Sequence, residues 1–354
     1  MPAEMTSRER VLTAARREAP DRIPRLIPML GAVAERLQTE LGVTDLQPFL
    51  RPDFAELGLS RSDLQTDFSR YFTRPGVTWD EWGRGRIWDD TGHYAEYLYP
   101  LEKAETVAEI EAYPWPDLTE PYRWAGLTER VAAAHAQGLA VSGMLAETVF
   151  EVAWQLRSMM GLFGDILADD PRATVLLDKI TDRRESVVRA YAQAGVDIIH
   201  MGDDVAMQDR LLMSRDMFNT WFRPRFERII RAARTENPEV IISYHSDGRI
   251  NDLIPDLLEA GVQILNPVQP ECVDHAWVKA TYGDRLAFSG GLGVQSVLPF
   301  GTPEEVREHT RAAIQTLGAG GGYIVGPSHV LELDTPMANI RAMMAAIEEF
   351  GGYD

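Results

Sequence analysis

The sequence predicts an α/β fold: a (β/α)8 TIM-type barrel with N-terminal helical and irregular additions. Three observations predict it. From about residue 125 onward, helical and strand patterns alternate. The strand runs are almost continuously apolar, as in a parallel sheet covered on both faces. The length of 354 residues suits one barrel, so residues 1–354 are read as a single domain. A doubly wound open sheet is the alternative, but no GxGxxG or GxxxxGK[ST] follows any strand.

The elements follow in order. TSRERVLTAARRE has Val11, Leu12 and Ala15 at helical spacing, Thr6 as N-cap and Glu9 three residues later. Pro20 stops this helix. IPRLIPML (23–30) reads as a short strand run. Residues 50–125 are irregular and contain Trp79, Trp82, Trp88 and Trp115. A linker is poor in tryptophan, so this stretch is read as an insertion that closes one wall of the mouth. Strand runs follow at 139–145, 196–201, 240–244, 262–265, 286–288 and 323–325, separated by helices, and a last helix covers about 336–349. With 23–30 these make seven strands, so the eighth is hidden in the irregular region.

Bulk composition narrows the function. At 45% hydrophobic and 25% charged residues the chain is an ordinary globular one. A net charge of −19 argues against nucleic acid and anionic membranes as partners. The single cysteine, Cys272, excludes internal disulfides and multi-thiolate metal sites. MPAEMTSRER lacks the apolar core of a signal peptide, and no apolar stretch is long enough to span a membrane. A cytoplasmic protein is expected.

Barrel active sites form at the C-terminal ends of the strands. The strand exits here carry Ala146-Glu147-Thr148, Gly202-Asp203-Asp204, His245-Ser246-Asp247, Asn266 to Gln269, Ser289-Gly290-Gly291 and Gly326 to His329. If they converge, two histidines and several carboxylates form a ligand set suited to Zn²⁺ or another divalent ion. Each also has a plainer reading. Asp247 can close an Asx-turn, one of Asp203 and Asp204 can face a helix dipole, and Glu147 and His329 can be structural. His200 lies within a strand and reads as a core histidine. His93, His135, His275 and His309 carry no argument.

The residues resemble the uroporphyrinogen decarboxylase superfamily, which includes corrinoid-dependent methyltransferases. The resemblance is carried by TSRERVLTAARREAPDRIP (6–24), MGDDVAMQDRLLMSRDMF (201–218), YHSDGRINDLIPDLLEAGVQILNPVQP (244–270), YGDRLAFSGGLGVQ (282–295) and GGGYIVGPSHVLELDTPMANI (320–340). It implies a (β/α)8 barrel and a homodimer. The decarboxylase branch has an Arg-Gln-Ala-Gly-Arg run after the first strand. This chain has IPMLGAVAERL (27–37) there, and Arg36 does not fit. His329 does match the family histidine near the last strand. The methyltransferase branch has a His-x-Cys zinc motif and a later cysteine. His245 matches that histidine, Asp247 stands in place of the first cysteine, and glycines 320–322 occupy the region of the second.

The resulting expectation is a methyltransferase that moves a methyl group from a small O-methyl donor to cobalamin on a partner protein. His245 and Asp247, with Glu147 and His329, hold a zinc ion that acts as Lewis acid on oxygen. Asp203, Asp204 and His329 are the catalytic candidates. Glu147, Gln208, Asn266, Gln269 and Ser289 are the substrate-binding ones. A cofactor-free decarboxylase or lyase and a non-catalytic binding barrel are the alternatives.

Overall fold

The computed structural model describes residues 4–63, 65–89, 95–145 and 147–353; Ala146 and His93 lie outside them. Among the described residues ten strands run in order: β1 Phe54–Leu57, β2 Thr78–Trp79, β3 Gly85–Trp88, β4 Ala95–Leu98, β5 Ala140–Leu145, β6 Ile198–Gly202, β7 Ile241–His245, β8 Ile264–Asn266, β9 Ala287–Leu292 and β10 Tyr323–Pro327. Seven form one curled parallel sheet in the order β1-β5-β6-β7-β8-β9-β10. Helices precede or follow each of them, as in a (β/α)8 barrel. No described helix is long and apolar enough to cross a membrane.

The hidden strand is β1, which lies inside the aromatic-rich stretch. The expected strand 23–30 is instead an extended segment that closes the barrel by isolated bridges. Val325 N–H donates to Pro24 O (2.9 Å), Leu26 N–H to Val325 O (3.0 Å) and Leu331 N–H to Pro28 O (2.9 Å). Pro24 and Pro28 have no N–H to donate, which keeps this stave from forming a continuous ladder. On its other side Asp53, just before β1, seals the seam. Its fully buried carboxylate accepts from Arg25 N–H (2.8 Å), Arg10 (2.9 Å) and Arg22 (2.8 and 2.9 Å).

The N-terminal helix Ser7–Ala15 has the expected capping box, Thr6 with Glu9. It plugs the bottom of the barrel. Val11, Ala14 and Ala15 pack against one inward residue from each strand: Phe54, Ala140, Ile198, Ile241, Ile264, Ala287 and Ile324. Side chains alternate along a strand. Residues two, four or six positions beyond these therefore point into the same interior, toward the opposite, open end.

The second sheet, β2-β3-β4, is antiparallel and belongs to the insertion. Trp82 and Trp115 pack edge to face within it (6.4 Å between centroids), while Trp79 and Trp88 are exposed. Further on, a single π turn, Phe218–Phe222, precedes Pro224 and joins two helical segments that the sequence reads as one.

Candidate active site

The open end holds a cavity of about 290 Å³. Every stave supplies a wall residue by the alternation just described. Leu26, Glu56 of β1, Met144 of β5 and His200 of β6 line one side; His245 of β7, Asn266 of β8, Ser289 of β9 and Ser328 after β10 line the other. The strand exits therefore do converge, at the end the helical plug leaves free.

Asp204, His245 and Asp247 form a cluster in which one ligand atom from each lies within 4.8 Å of the others. His245 Nε2 is 3.7 Å from Asp204 Oδ1 and 3.8 Å from Asp247 Oδ1. Its other ring nitrogen, Nδ1, is 2.6 Å from Asn266 Oδ1. An amide oxygen only accepts, so Nδ1 carries the hydrogen and Nε2 presents a lone pair to the two carboxylates. This is how metal-binding histidines are usually oriented. Asp204 Oδ1 is itself held by Asp247 N–H at 2.8 Å. Ligand atoms on one tetrahedral zinc ion stand roughly 3.3–3.5 Å apart; the two separations from His245 Nε2 need to close by only a few tenths of an ångström, and all three ligand atoms lie within 4.8 Å of one another. Burial raises the Asp247 carboxyl above its ordinary range; only protonated His245 and His329 rings oppose that, and Asp204 adds to it. A cation at the cluster relieves this repulsion.

The acid groups around the cluster divide by environment. Asp203 is fully buried and turned away from the cavity. Its oxygens accept from the N–H groups of Val149 (2.9 and 3.2 Å), Phe150 (3.0 Å) and Glu151 (2.9 Å), at the start of the helix Phe150–Arg157. Glu151 lines the cavity and accepts from Asp204 N–H (3.2 Å). Burial pushes its carboxyl up to about 9, and the charges of Asp203 and Asp204 push the same way. Of the two buried neighbours, Glu151 holds the proton, because the backbone donors around Asp203 stabilise its charged form. Glu147 lies at a positive φ of 55°. It pairs with Arg84 of the insertion and accepts from Gln155 (3.0 Å). Burial opposes its ionisation, but Arg84 outweighs that and holds it below the usual carboxylate range.

The predicted residues fall as follows. Asp204, Glu147, His245, Asn266, Ser289 and His329 line the cavity, and Asp247 stands in the cluster. Glu147 and His329 lie outside the ligand cluster; the His329 ring is 6.5 Å from that of His245. Gln208 is exposed, and its oxygen accepts from Cys272 Sγ. Gln269 lines a neighbouring cavity. His200, read as a core residue, hydrogen-bonds Ser243 (3.1 Å) yet forms part of the cavity wall. Burial pushes its ring down to about 3 and keeps it neutral. Sequence reasoning missed Glu151 and Glu56. Glu151 follows Glu147 by four residues, a spacing that places both near one strand exit.

Fold and site together define a (β/α)8 barrel with a histidine–carboxylate mouth. The uroporphyrinogen decarboxylase (URO-D) family model matches residues 100–350, and the chain belongs to this family. It is similar to the methylcobamide:CoM methyltransferase MtaA of Methanosarcina barkeri, with 26% identity over 174 residues, 49% of this chain and 48% of that protein. It is also similar to a methylated-thiol–coenzyme M methyltransferase of Methanosarcina mazei, with 24% identity over 200 residues, 56% of this chain and 51% of that one. Uroporphyrinogen decarboxylase of Thermus thermophilus is 25% identical over 179 residues, 49% and 48% of the two chains. The chain thus spans about half the length of the curated relatives it matches. Among solved structures, a methyltransferase from Methanosarcina mazei superposes with a TM-score of 0.68 at 17% identity, covering 98% of this chain and 99% of that one. That likeness concerns the fold.

Proposed function

We propose that this protein is a methyltransferase that takes a methyl group from a small O-methyl donor and delivers it to a corrinoid carried by a partner protein. A divalent ion such as zinc is held by Asp204, His245 and Asp247. The observation that carries the reading is that cluster, with His245 oriented by Asn266 at the barrel mouth. The similarity to methyltransferases of corrinoid and thiol substrates supports it. The reading includes a cytoplasmic homodimer.

When bound, the ion supplies Lewis acidity toward the donor oxygen. The chain's own residues supply the rest. Asn266 fixes the His245 ring. An oxygen leaving group needs a proton, and Glu151 holds one in the same cavity. His200 stays neutral and adds no competing charge. The cavity is small for a ligand site, and among the described residues no arginine or lysine lines it. The charged carboxylates of Glu147 and Asp204 repel a polycarboxylate, which disfavours decarboxylation of a tetrapyrrole.

The test is metal content of the purified protein and of His245→Ala by mass spectrometry, with methyl transfer from 2-methoxyphenol to free cob(I)alamin measured on both. Near-stoichiometric zinc that falls away in the variant, together with lost transfer, supports the reading. Metal-free protein in both samples returns YHSDG to a turn. Glu151→Gln should keep the metal and lose roughly 10²–10⁴-fold in transfer rate.

A further inference from the structure

A cavity of about 760 Å³ lies on the insertion side of the barrel mouth. It shares Glu147 with the mouth cavity as a common wall. Its other walls come from the segment after β1, the turn between β2 and β3, and two buried arginines, Arg123 and Arg184. The volume is that of an ordinary small-molecule site.

Charge in this chamber is unevenly matched. Asp80 and Glu147 pair with Arg84, and Glu81 pairs with Arg123 at 2.9 Å. Arg184 is only 8% exposed, and among the described residues no carboxylate pairs with it. Its guanidinium carbon lies 4.8 Å from the centroid of the Trp82 ring. Nε donates to Thr148 O (3.1 Å) and Nη2 to Glu147 O (2.7 Å). The guanidinium is planar, so the edge that carries Nη1 points away from these two carbonyls. Nη1 has no hydrogen-bond partner among the described residues. Unlike the unbonded Nε atoms of Arg22 and Arg25, it keeps surface open to water. Arg184 lines this chamber and not the mouth cavity. Burial pushes its pKa down to about 10, and the charge of Arg84 acts the same way, so it remains a cation at neutral pH. An interior cation without a counter-ion is costly.

An anion satisfies both the open N–H edge and the unpaired charge. Arg61 is exposed and adds only a screened charge. Asp80, Glu81 and Glu147 stand close by, so one negative charge is matched and a doubly charged phosphate is repelled. Leu59 and Trp79 supply an apolar, aromatic wall for the body of the ligand. We infer that this chamber binds a small monocarboxylate, with its carboxylate on Arg184 and a flat apolar body against Leu59 and Trp79. The site is separate from the metal cluster and does not rest on methyl transfer.

The probe is benzoate, compared with neutral benzamide and with inorganic phosphate. The intact chain is labelled with fluorotryptophan, and binding is read from the fluorine signal of Trp79, identified by its loss in Trp79→Phe. A saturable shift in roughly the millimolar range is expected with benzoate. Benzamide, and benzoate on Arg184→Met, should bind about tenfold more weakly or worse. His245→Ala should bind benzoate as wild type does. No saturable shift with benzoate overturns the proposal. Benzamide binding as tightly as benzoate overturns the anion assignment, and tighter binding of phosphate overturns the single charge. Loss of the shift in His245→Ala places the anion on the metal cluster and also overturns it. If Arg184→Met does not fold, the comparison of benzoate with benzamide on wild type decides alone.

Discussion

Replacing Asn266 with alanine isolates the part of the site that prepares it for a metal. The His245 ring makes one short hydrogen bond through Nδ1, 2.6 Å to Asn266 Oδ1. That bond keeps the hydrogen on Nδ1 and the lone pair on Nε2, which is 3.7 and 3.8 Å from the two carboxylates. Without it the ring is free to rotate and to carry its hydrogen on the wrong nitrogen. All three ligand side chains remain in Asn266→Ala. Loss of a supporting partner of this kind costs about 10–100-fold in metal affinity, or roughly 1.4–2.7 kcal/mol. His245→Ala removes a ligand and should cost more. The assay is zinc competition against a chromophoric chelator at neutral pH, beside thermal melting of the metal-free proteins. Asn266 is only partly buried, so the metal-free melting temperature should change little. If Asn266→Ala binds zinc within roughly threefold of wild type while His245→Ala loses it, the orienting argument is refuted. If neither variant changes zinc binding, the cluster is not the site.

Two further predictions follow from the surrounding charges. Asp203→Ala leaves the N–H groups of residues 149–151 without their buried acceptor and should lower stability by about 3 kcal/mol or more, measured by urea unfolding; wild-type stability with lost activity would instead make Asp203 a reacting group. Asp256, buried on the helix Ile254–Ala260, accepts from Arg215 (2.6 and 3.1 Å) and Asn219 (3.0 Å). Burial opposes its charge, but these donors outweigh it and hold the carboxyl below its ordinary 3.8. A depressed carboxylate stabilises the fold above the unfolded-state pKa, and the contribution is lost as pH falls through the folded one. Asp256→Asn should therefore cost about 1–3 kcal/mol at neutral pH, discounted because Arg215 is half-exposed. The gap to wild type should narrow below about pH 4 in melts across pH; an unchanged gap would make its cause steric.

The sequence shows the barrel because apolar strand runs and amphipathic helices alternate over most of its length. It hides β1 because FAEL is four residues long and Glu56 interrupts its apolar pattern. That glutamate faces the mouth, so the interruption is itself a sign of the site. Prolines hide the irregular nature of 23–30. Glu151 looks like an ordinary acidic residue in the first turn of a helix; only folding brings that turn around Asp203.

The adjacent aspartates show what one more physical step extracts from the sequence. Ile198 and Ile241 start their strands facing the plug. Counting by twos from them gives His200, Gly202 and Asp204 on one strand, and Ser243, His245 and Asp247 on the next. The first three, with His245, line the cavity, and Asp204, His245 and Asp247 form the cluster. Asp203 has the opposite parity, and its carboxylate turns outward to the start of the helix that follows β5. Two aspartates that are equivalent as composition thus receive different roles from the alternation of the strand. Once the bottom of each strand is identified by its apolar residue, the same count selects Glu56, Met144, Asn266, Ser289 and Ser328 as the other mouth residues. The plug and the mouth are therefore two ends of one side-chain column in each stave. A substitution that shifts a strand by one residue would empty both together.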